Sequence, residues 1–324
     1  MTEKLARVIV GLTLLLGVLV TAFAWPATNS EPNDVPIAVA GPGPVVDEVS
    51  GRLESAQPGA FDVLAVVDEA AARAAIEDRD VYGAIVADPS GAPEVLIASA
   101  ASPVVAQLLQ QVAEAMAAGA DGPSGPAVTD VVPLPEDDPR GVGLIAGALP
   151  LVIGGIAVGV AMSLVITGVG RRIAGAAIVS ATSGLLNAAL LQYWLGSLQG
   201  NYWANAAAIA LVVAAMSFTM IGLHAVMGRA GLALGAAIML LLGNPLSGLT
   251  SAPEMLPEGW GALGQLLPPG AGGSLLRSTA FFDGAGAGTP LLVLTAWIAF
   301  GLVLAAIGSL TGATRSRDES PVRG

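Results

Sequence analysis

The side chains that most often carry catalysis are scarce in this sequence. It contains no cysteine, one histidine (His224) and one lysine (Lys4). Without cysteine there can be no disulfide, no thiolate zinc site and no cysteine nucleophile. A Walker A loop places a lysine at the nucleotide phosphates, and Lys4 is the only lysine present. The sequence therefore predicts no enzyme, no metal site and no cofactor, and any energy from ATP must come from another chain.

The later apolar stretches that could cross a membrane also lack ionisable side chains. They lie at residues 142–168, 173–195, 204–223, 231–249 and 290–310, and none of them contains Asp, Glu, Lys or Arg. Carriers driven by protons or sodium ions generally place ionisable groups at membrane depth, where the coupling ion binds. A secondary transporter is therefore disfavoured.

The overall composition predicts a membrane protein. Hydrophobic residues make up 54% of the chain, charged residues 12%, and the mean hydropathy is +0.74, which is far above the values of water-soluble globules. Acidic residues outnumber basic ones by 25 to 13, and a net charge of -12 argues against nucleic acid as a partner. The partner expected from composition is the lipid bilayer.

The first apolar run, within residues 1–25, has the length of a membrane span. Lys4 and Arg7 precede the run, and Trp25, a residue type enriched at the membrane interface, ends it. We interpret it as an N-terminal transmembrane helix that is retained. The alternative is a signal peptide that is cleaved after Ala24.

Residues 26–141 form an acidic segment of different character. Between positions 25 and 141 there are 19 Asp and Glu but only four Arg. Short β-branched runs at 36–40, 61–67, 81–87 and 93–99 alternate with helical stretches at 45–56, 69–78 and 103–118. Asp68 and Ser102 are the predicted N-caps of the last two helices. The segment is predicted to be a small α/β domain, with a linker at 119–126 and an acidic stalk at 133–139.

Together, the apolar stretches predict a six-helix transmembrane bundle with the α/β domain inserted between helices 1 and 2. The helices fall within residues 1–25, 142–249 (helices 2 to 5) and 290–311, and a tail follows at 312–324. Eight of the thirteen basic residues lie on one side of this arrangement, at the termini and in the short connections: Lys4, Arg7, Arg171, Arg172, Arg229, Arg315, Arg317 and Arg323. By the positive-inside rule that side is cytoplasmic. We predict a multi-pass protein of the plasma membrane, with cytoplasmic termini and the acidic domain outside.

Small residues recur at four-residue spacing in two of the predicted spans. They are Gly143, Gly147, Gly155 and Gly159 in the second span and Gly231 and Gly235 in the fifth. Such ridges let helices approach closely in lipid. They predict tight helix packing within the chain or, alternatively, a homodimer. Asn187, Gln192 and Asn205 are predicted to form hydrogen bonds between helices.

Residues 250–289 are too apolar for a solvated loop and too rich in Pro and Gly for one spanning helix. Trp260, Leu263 and Leu267 lie at i, i+3 and i+7, which is typical of one face of a short amphipathic helix. A hairpin that re-enters the outer leaflet or lies on it accommodates both features. The alternative is an inert extracellular loop.

The order of these parts resembles the permease-like subunits of ABC exporters of type 2, and especially their phage infection protein relatives. The resemblance covers most of the chain. Its local matches are AAARAAIEDRDVYGAIV at 70–86 and LPPGAGGSLLRS at 267–278. In these families the hairpin before the last helix lies at the outer end of the translocation path. The resemblance therefore implies an outer gate formed by Pro253, Pro257, Trp260, Pro268, Pro269 and Arg277.

The function implied by the resemblance is that of a permease-like subunit of an exporter. It would move a hydrophobic or amphipathic substrate outward, powered by a separate ATPase. Typical members dock the ATPase through segments that here are only MTEKLAR and VGRR. The alternative function is a non-transporting cell-envelope protein whose outer domain binds a partner or acts as a phage or cell-wall contact. The two differ in whether an ATPase accompanies the chain.

Overall fold

A computed structural model of the chain describes residues 3–87, 93–118 and 127–318. The predicted linker at 119–126 and residues 319–324 of the predicted tail lie outside the described residues. The described chain is mainly helical, and it also contains a small β-sheet.

The apolar helix α1 (Glu3–Thr28) is followed by a five-stranded sheet. Its strands are β1 (Val35–Ala40), β2 (Phe61–Val66), β3 (Gly83–Val86), β4 (Glu94–Ile97) and β5 (Ala127–Asp130), in the order β2-β1-β3-β4-β5. Strands β3 and β4 pair antiparallel, and the other neighbouring pairs are parallel. The four predicted strands are present. Strand β5 was not predicted, because AVTD is too short to display an alternating pattern.

Three helices accompany the sheet: α2 (Gly43–Ala56), α3 (Glu69–Glu77) and α4 (Pro103–Ala118). The first turn of a helix has N–H groups with no partner inside the helix. The Asp68 carboxylate accepts a hydrogen bond from the backbone N–H of Ala71 at 2.9 Å, and Ser102 Oγ accepts one from that of Val105 at 3.2 Å. Both predicted N-caps are therefore confirmed.

The sheet and its helices, residues 35–130, are called the α/β region below, and its core lies on both faces of the sheet. Strand β1 lies between β2 and β3 and is almost fully buried, as expected for a strand with parallel neighbours and covered faces. One face packs Ile37 and Ile85 against Leu109 of α4. The other face packs Leu96 against Ile76 of α3.

The rest of the chain is helical. It comprises α5 (Val142–Val165), α6 (Val169–Ala189) with a π-helical extension (Leu190–Trp194), α7 (Tyr202–Met227), α8 (Arg229–Ala237), α9 (Trp260–Gln265), α10 (Pro268–Phe281) and α11 (Gly288–Asp318). Five of the described helices are long and apolar enough to cross a membrane: α1, α5, α6 with its extension, α7 and α11. The prediction of a mainly helical, multi-pass membrane protein is confirmed at this level.

Helix α7 lies at the centre of the helical part, and α5, α6 and α11 pack against it. These helices approach closely because glycines stand at the points of contact. A Cβ added to Gly155 would lie 2.9 Å from Met216 Sδ, and one added to Gly184 would collide with the backbone of Ala206. The helices can therefore approach this closely only because glycine has no side chain at these positions.

The glycines of the predicted ridges all face other parts of the same chain. A Cβ at each would meet the following neighbours: Ser197 from Gly143, Leu191 from Gly147, Met216 from Gly155, Met220 from Gly159, the backbone of Leu223 from Gly231, and Met220 from Gly235. Since these surfaces are occupied by contacts within the chain, they supply no argument for a homodimer.

The predicted fifth span, residues 231–249, is shorter in the structure. Nine residues of α8 and a six-residue π-helical turn (Ile238–Gly243) form one apolar segment. At about 1.5 Å per residue this segment covers roughly 22 Å, whereas the hydrocarbon core of a bilayer is about 30 Å thick. Asn244 and Pro245 follow it, and Pro245 has no backbone N–H with which to continue the helical hydrogen bonds. The described residues thus contain five helices of spanning length rather than six.

Candidate functional site

Residues 250–289 form a compact group of short helices. A 3-10 turn (Pro253–Met255) is followed by α9 and α10, and Pro268 and Pro269 occupy the first turn of α10, where the missing N–H groups of proline cost nothing. The turns touch each other without side chains between them. A Cβ at Gly261 would collide with the Pro253 carbonyl, and one at Gly264 with that of Leu246. The glycine-rich sequence is explained by this close packing.

The predicted amphipathic face of this segment is partly wrong. Trp260 and Leu263 on α9 are 38% and 43% exposed, but Leu267 is buried at 8%. The difference arises because Pro268 forces the preceding residue into extended backbone, so α9 ends at Gln265 and Leu267 becomes the N-cap of α10. Leu266, which is 58% exposed, takes the place of Leu267 on the open side.

The α/β region and the residues just before it hold this segment through hydrogen bonds to its backbone carbonyl oxygens. The N–H of Asn33 donates to the carbonyl oxygen of Glu254 at 2.9 Å, and Ser30 Oγ donates to that of Met255 at 2.8 Å. Ser102 Oγ donates to the carbonyl oxygen of Ser251 at 2.6 Å. Met255 also belongs to the apolar cluster on one face of the sheet. The turn before α9 is therefore packed against the α/β region and does not project into solvent.

Arg79 makes a second link, between the α/β region and α10. It lies just after α3 with a positive φ of 64°. Its guanidinium donates hydrogen bonds to the carbonyl oxygen of Ser274, at 3.0 Å, and to Ser278 Oγ, and it stacks over the ring of Phe282 at 5.2 Å. Burial lowers the pKa of Arg79, and nearby Tyr82 and Glu254 act in the opposite direction.

Tyr82 makes a third link. Its hydroxyl donates a hydrogen bond of 2.8 Å to the carboxylate of Glu254. Burial, and then the charge and hydrogen bond of Glu254, raise the pKa of Tyr82 well above its ordinary value. Tyr82 is therefore a neutral donor at physiological pH, and Glu254 is held at a fixed position on the 3-10 turn.

A cleft of about 590 Å³ lies between the α/β region and these short helices. This volume is within the range of about 300–1,000 Å³ that is typical of small-molecule sites. Arg79, Tyr82 and Glu254 contribute to its walls, as does Arg277 of α10. Arg277 is only 6% exposed.

The structure brings some of the predicted gate residues to the cleft. Pro253, Pro257 and Arg277 line it. Trp260 lies outside the cleft and packs edge-on against Trp25 at the end of α1, with the ring centroids 5.7 Å apart. Pro268 is buried at the start of α10.

Pro269 lies in a separate place, deeper among the helices. It lines a small apolar cavity of about 30 Å³ between α5, α7 and α10. A Cβ added to Gly243 would lie 2.7 Å from Pro269 Cγ, so the end of the π-helical turn and the start of α10 are in close contact. The start and the end of α10 therefore have different surroundings.

The other end of α10 is fixed by a buried polar network. Asn205 of α7 is fully buried, and its Oδ1 accepts a hydrogen bond of 2.8 Å from Thr279 of α10. Its Nδ2 donates to Gln192 Oε1 and to the carbonyl oxygen of Gln199. Asn205 and Gln192 thus connect helices, as predicted. Asn187 instead donates to Ser183 within its own helix.

Sequence reasoning missed three of the residues that shape the cleft, namely Arg79, Tyr82 and Glu254. Their partners lie far away along the chain, so no local pattern marks them. For Arg79, charge could have pointed to a special role, because it is one of only four arginines in the acidic segment. Within the described residues, no three His, Asp or Glu side chains are grouped as metal ligands.

The cleft has cationic, acidic and apolar groups in its walls. No protein-family model, curated protein or solved structure matches this chain.

Proposed function

We propose that this chain is the permease-like subunit of an ABC-type exporter that moves a hydrophobic or amphipathic substrate out of the cytoplasm or the inner leaflet, powered by a separate ATPase. The observation that carries the proposal is the position of α10. It contacts Arg79 of the α/β region on one side and α7 and α11 on the other, beside an open cleft. Because α10 contacts both parts, a movement of α7 or α11 can be transmitted through it to the α/β region.

The proposed topology has six passes, with α8 and its π-helical turn as a short fifth pass and α9 and α10 as a re-entrant hairpin. Depth along the spanning helices supports the hairpin. Trp297 Nε1 of α11 donates to the carbonyl oxygen of Leu266 at 2.8 Å, and Trp297 lies nine residues, or about 13 Å, from the start of α11. The start of α10 lies similarly deep, because Gly272 packs against Val212, ten residues into α7.

The proposed orientation places the α/β region outside the cell and both termini in the cytoplasm. The positions of the aromatic residues support this orientation. At the helix ends that face the α/β region stand Trp25, Tyr193, Trp194, Tyr202, Trp203 and Trp260. Tyrosine and tryptophan form such a belt at a membrane interface. Arg171, Arg172 and Arg229 stand at the opposite ends. By the positive-inside rule these arginines face the cytoplasm. The membrane in this proposal is the plasma membrane.

Single cysteines test this orientation, because the chain has none of its own. Ser55 on α2 and Thr167 between α5 and α6 are both exposed. In cells whose outer surface is open to reagent, a membrane-impermeant maleimide should label Ser55→Cys directly and Thr167→Cys only after permeabilisation. The reverse pattern would contradict the topology.

The exporter itself is tested by its power source. The chain extracted from its native membranes in mild detergent should carry an ATPase with a Walker A motif in fixed stoichiometry. In proteoliposomes that ATPase should hydrolyse ATP faster with the wild-type chain than with a variant in which α10 is uncoupled, such as Arg79→Ala. Purification of the chain without any ATPase would refute the proposal, and so would ATP hydrolysis that Arg79→Ala leaves unchanged.

One observation favours the alternative of a non-transporting envelope protein whose outer domain binds a partner. Helix α5 ends at Val165 and α6 begins at Val169, so the connection on the proposed cytoplasmic side offers very little surface to an ATPase. The purification described above separates the two functions, since only the exporter requires the second subunit.

A further inference from the structure

The guanidinium of Arg277 is buried in the wall of the cleft and is poorly satisfied. Its Nη2 donates one long hydrogen bond, of 3.4 Å, to the carbonyl oxygen of Leu249. Within the described chain its Nε has no hydrogen-bond partner, and Arg277 takes part in none of the ion pairs. A guanidinium has five N–H donors, and burying its charge without a partner is costly. An anionic group in the cleft would supply the missing acceptor.

The level of Arg277 along the helices indicates where such a group would come from. Thr279, two residues after Arg277, is bonded to Asn205, which lies three residues from the start of α7. The cleft also reaches Thr289 and Pro290 in the first turn of α11. The cleft therefore borders the start of α11, and α10 carries Arg277 close to the level at which α7 begins. In a bilayer this is the level of the lipid head groups.

Charge is unevenly distributed around the cleft. Arg277 lies in the buried wall, with Arg79 also lining the cleft, whereas Asp34, Asp80 and Glu258 are exposed lining residues. A ligand with only negative charge would be repelled by these carboxylates. A ligand that carries an ammonium group beside a phosphate can place the phosphate at Arg277 and the ammonium near the carboxylates.

We propose that this cleft binds the head group of a zwitterionic, phosphate-bearing amphiphile from the adjacent leaflet, with Arg277 as the ligand of the phosphate. Arg277 recognises the phosphate through a fork of N–H donors, and the acyl chain remains in the bilayer beside the spanning helices. This inference concerns binding alone and does not require export, so it stands or falls separately from the exporter.

The test uses the full-length protein in an uncharged detergent, with Ala262→Cys as a reporter. Ala262 is exposed and lines the cleft, and the protein has no other cysteine. We expect lysophosphatidylethanolamine to slow the maleimide reaction of this cysteine saturably, and a monoacylglycerol of the same chain length to leave the rate unchanged. A cysteine at Ser55, on the exposed side of α2, is the control for general effects of the amphiphile on the reagent.

Two further arms identify the recognised group. In the Ala262→Cys background, Arg277→Gln should weaken protection about tenfold, since a charge-assisted bond is replaced by a neutral one, and Arg277→Lys should retain part of it. Inorganic phosphate should protect only weakly; full protection by phosphate would assign the site to a soluble anion and overturn the lipid source. Lysophosphatidylglycerol has no ammonium group, so equal protection by it would show that the carboxylates of the cleft do not contribute to recognition.

The outcome that overturns the whole proposal is equal protection by the monoacylglycerol, or protection that survives Arg277→Gln unchanged. If the glutamine variant does not fold, the comparison of lysophosphatidylethanolamine with monoacylglycerol on the otherwise unaltered protein still decides whether the phosphate is recognised.

Discussion

The guanidinium of Arg79 donates a hydrogen bond of 3.0 Å to the carbonyl oxygen of Ser274, and so joins a turn of the α/β region to the middle of α10. The two residues are 195 positions apart. The same guanidinium donates to Ser278 Oγ and stacks on Phe282, so one side chain makes three contacts with the segment that borders the cleft. Arg79 therefore links the α/β region to α10 and to the residue that follows it.

Replacing Arg79 with alanine should destabilise the protein by about 2–3 kcal/mol, because hydrogen bonds to a charged group and a cation–π contact are lost together. The thermal midpoint of the full-length protein in detergent measures this loss. Arg52→Ala is the matched control, since Arg52 is exposed and pairs only with Glu48 on its own helix. An equal effect of both changes would show that the Arg79 contacts contribute nothing.

The backbone at Arg79 permits a second comparison at the same position. Its φ of 64° lies in the left-handed region, which glycine adopts without steric cost. Arg79→Gly should therefore be more stable than Arg79→Ala by about 0.5–1 kcal/mol, although both lose the same side-chain contacts. The reverse order would mean that this turn is not left-handed in the membrane-embedded protein.

Tyr82 should give the protein a specific sensitivity to alkaline pH. Its pKa is raised in the folded state, so the unfolded chain loses the tyrosine proton first. The stabilisation from Tyr82 is therefore fully present below the ordinary tyrosine pKa of about 10 and is lost as pH rises above it. Tyr82→Phe removes this titration along with the bond to Glu254.

We expect Tyr82→Phe to cost about 1–2 kcal/mol at pH 8, since Glu254 loses its donor. The difference from wild type should shrink by pH 11, which thermal midpoints at the two pH values will measure. Tyr193→Phe is the control, because Tyr193 is exposed and only stacks on Tyr202. A difference that stays constant between pH 8 and pH 11 would contradict the raised pKa.

Two glycines of α5 should respond oppositely to alanine. A Cβ at Gly159 would collide with Met220 on α7, whereas a Cβ at Gly154 would meet nothing within 4 Å. Gly159→Ala should therefore destabilise the protein by about 1–3 kcal/mol, as expected for overpacking. Gly154→Ala should be neutral or slightly stabilising, because alanine favours helix by up to about 1 kcal/mol. Tolerance of both changes would mean that α5 and α7 are further apart.

Local chemistry made several elements predictable from sequence. The β-branched runs marked β1 to β4, Asp68 and Ser102 marked helix starts through their capping oxygens, and the glycine spacing marked helix contacts. Each of these signals lies within a few residues of the structure that it specifies. The fifth span was overestimated because residues 244–249 carry no charge, although Pro245 lacks the backbone N–H that would continue the helix.

The cleft could be predicted only in part, for a different physical reason. Pro253, Pro257 and Arg277 were expected at one site and do line the cleft. Tyr82 and Glu254, however, meet across 172 positions, and which partner a side chain reaches at such a distance is decided by the packing of the whole fold. The sequence shows that these groups are present, but it does not show that they are neighbours.

The exposed side of α9, which carries Leu263 and extends to Leu266, should face lipid. Leu263 and Leu266 are exposed in the isolated chain, yet the carbonyl of Leu266 bonds to Trp297 well inside the apolar part of α11. A charge placed at this depth is costly, so Leu263→Asp should disturb assembly or function far more than Glu258→Lys at the exposed mouth of the cleft. Cysteines at 263 and 266 should resist an aqueous maleimide in membranes, whereas a cysteine at 258 should react readily. Rapid and equal labelling of all three in intact membranes would make α9 a solvated surface helix and would remove the re-entrant hairpin from the proposed topology.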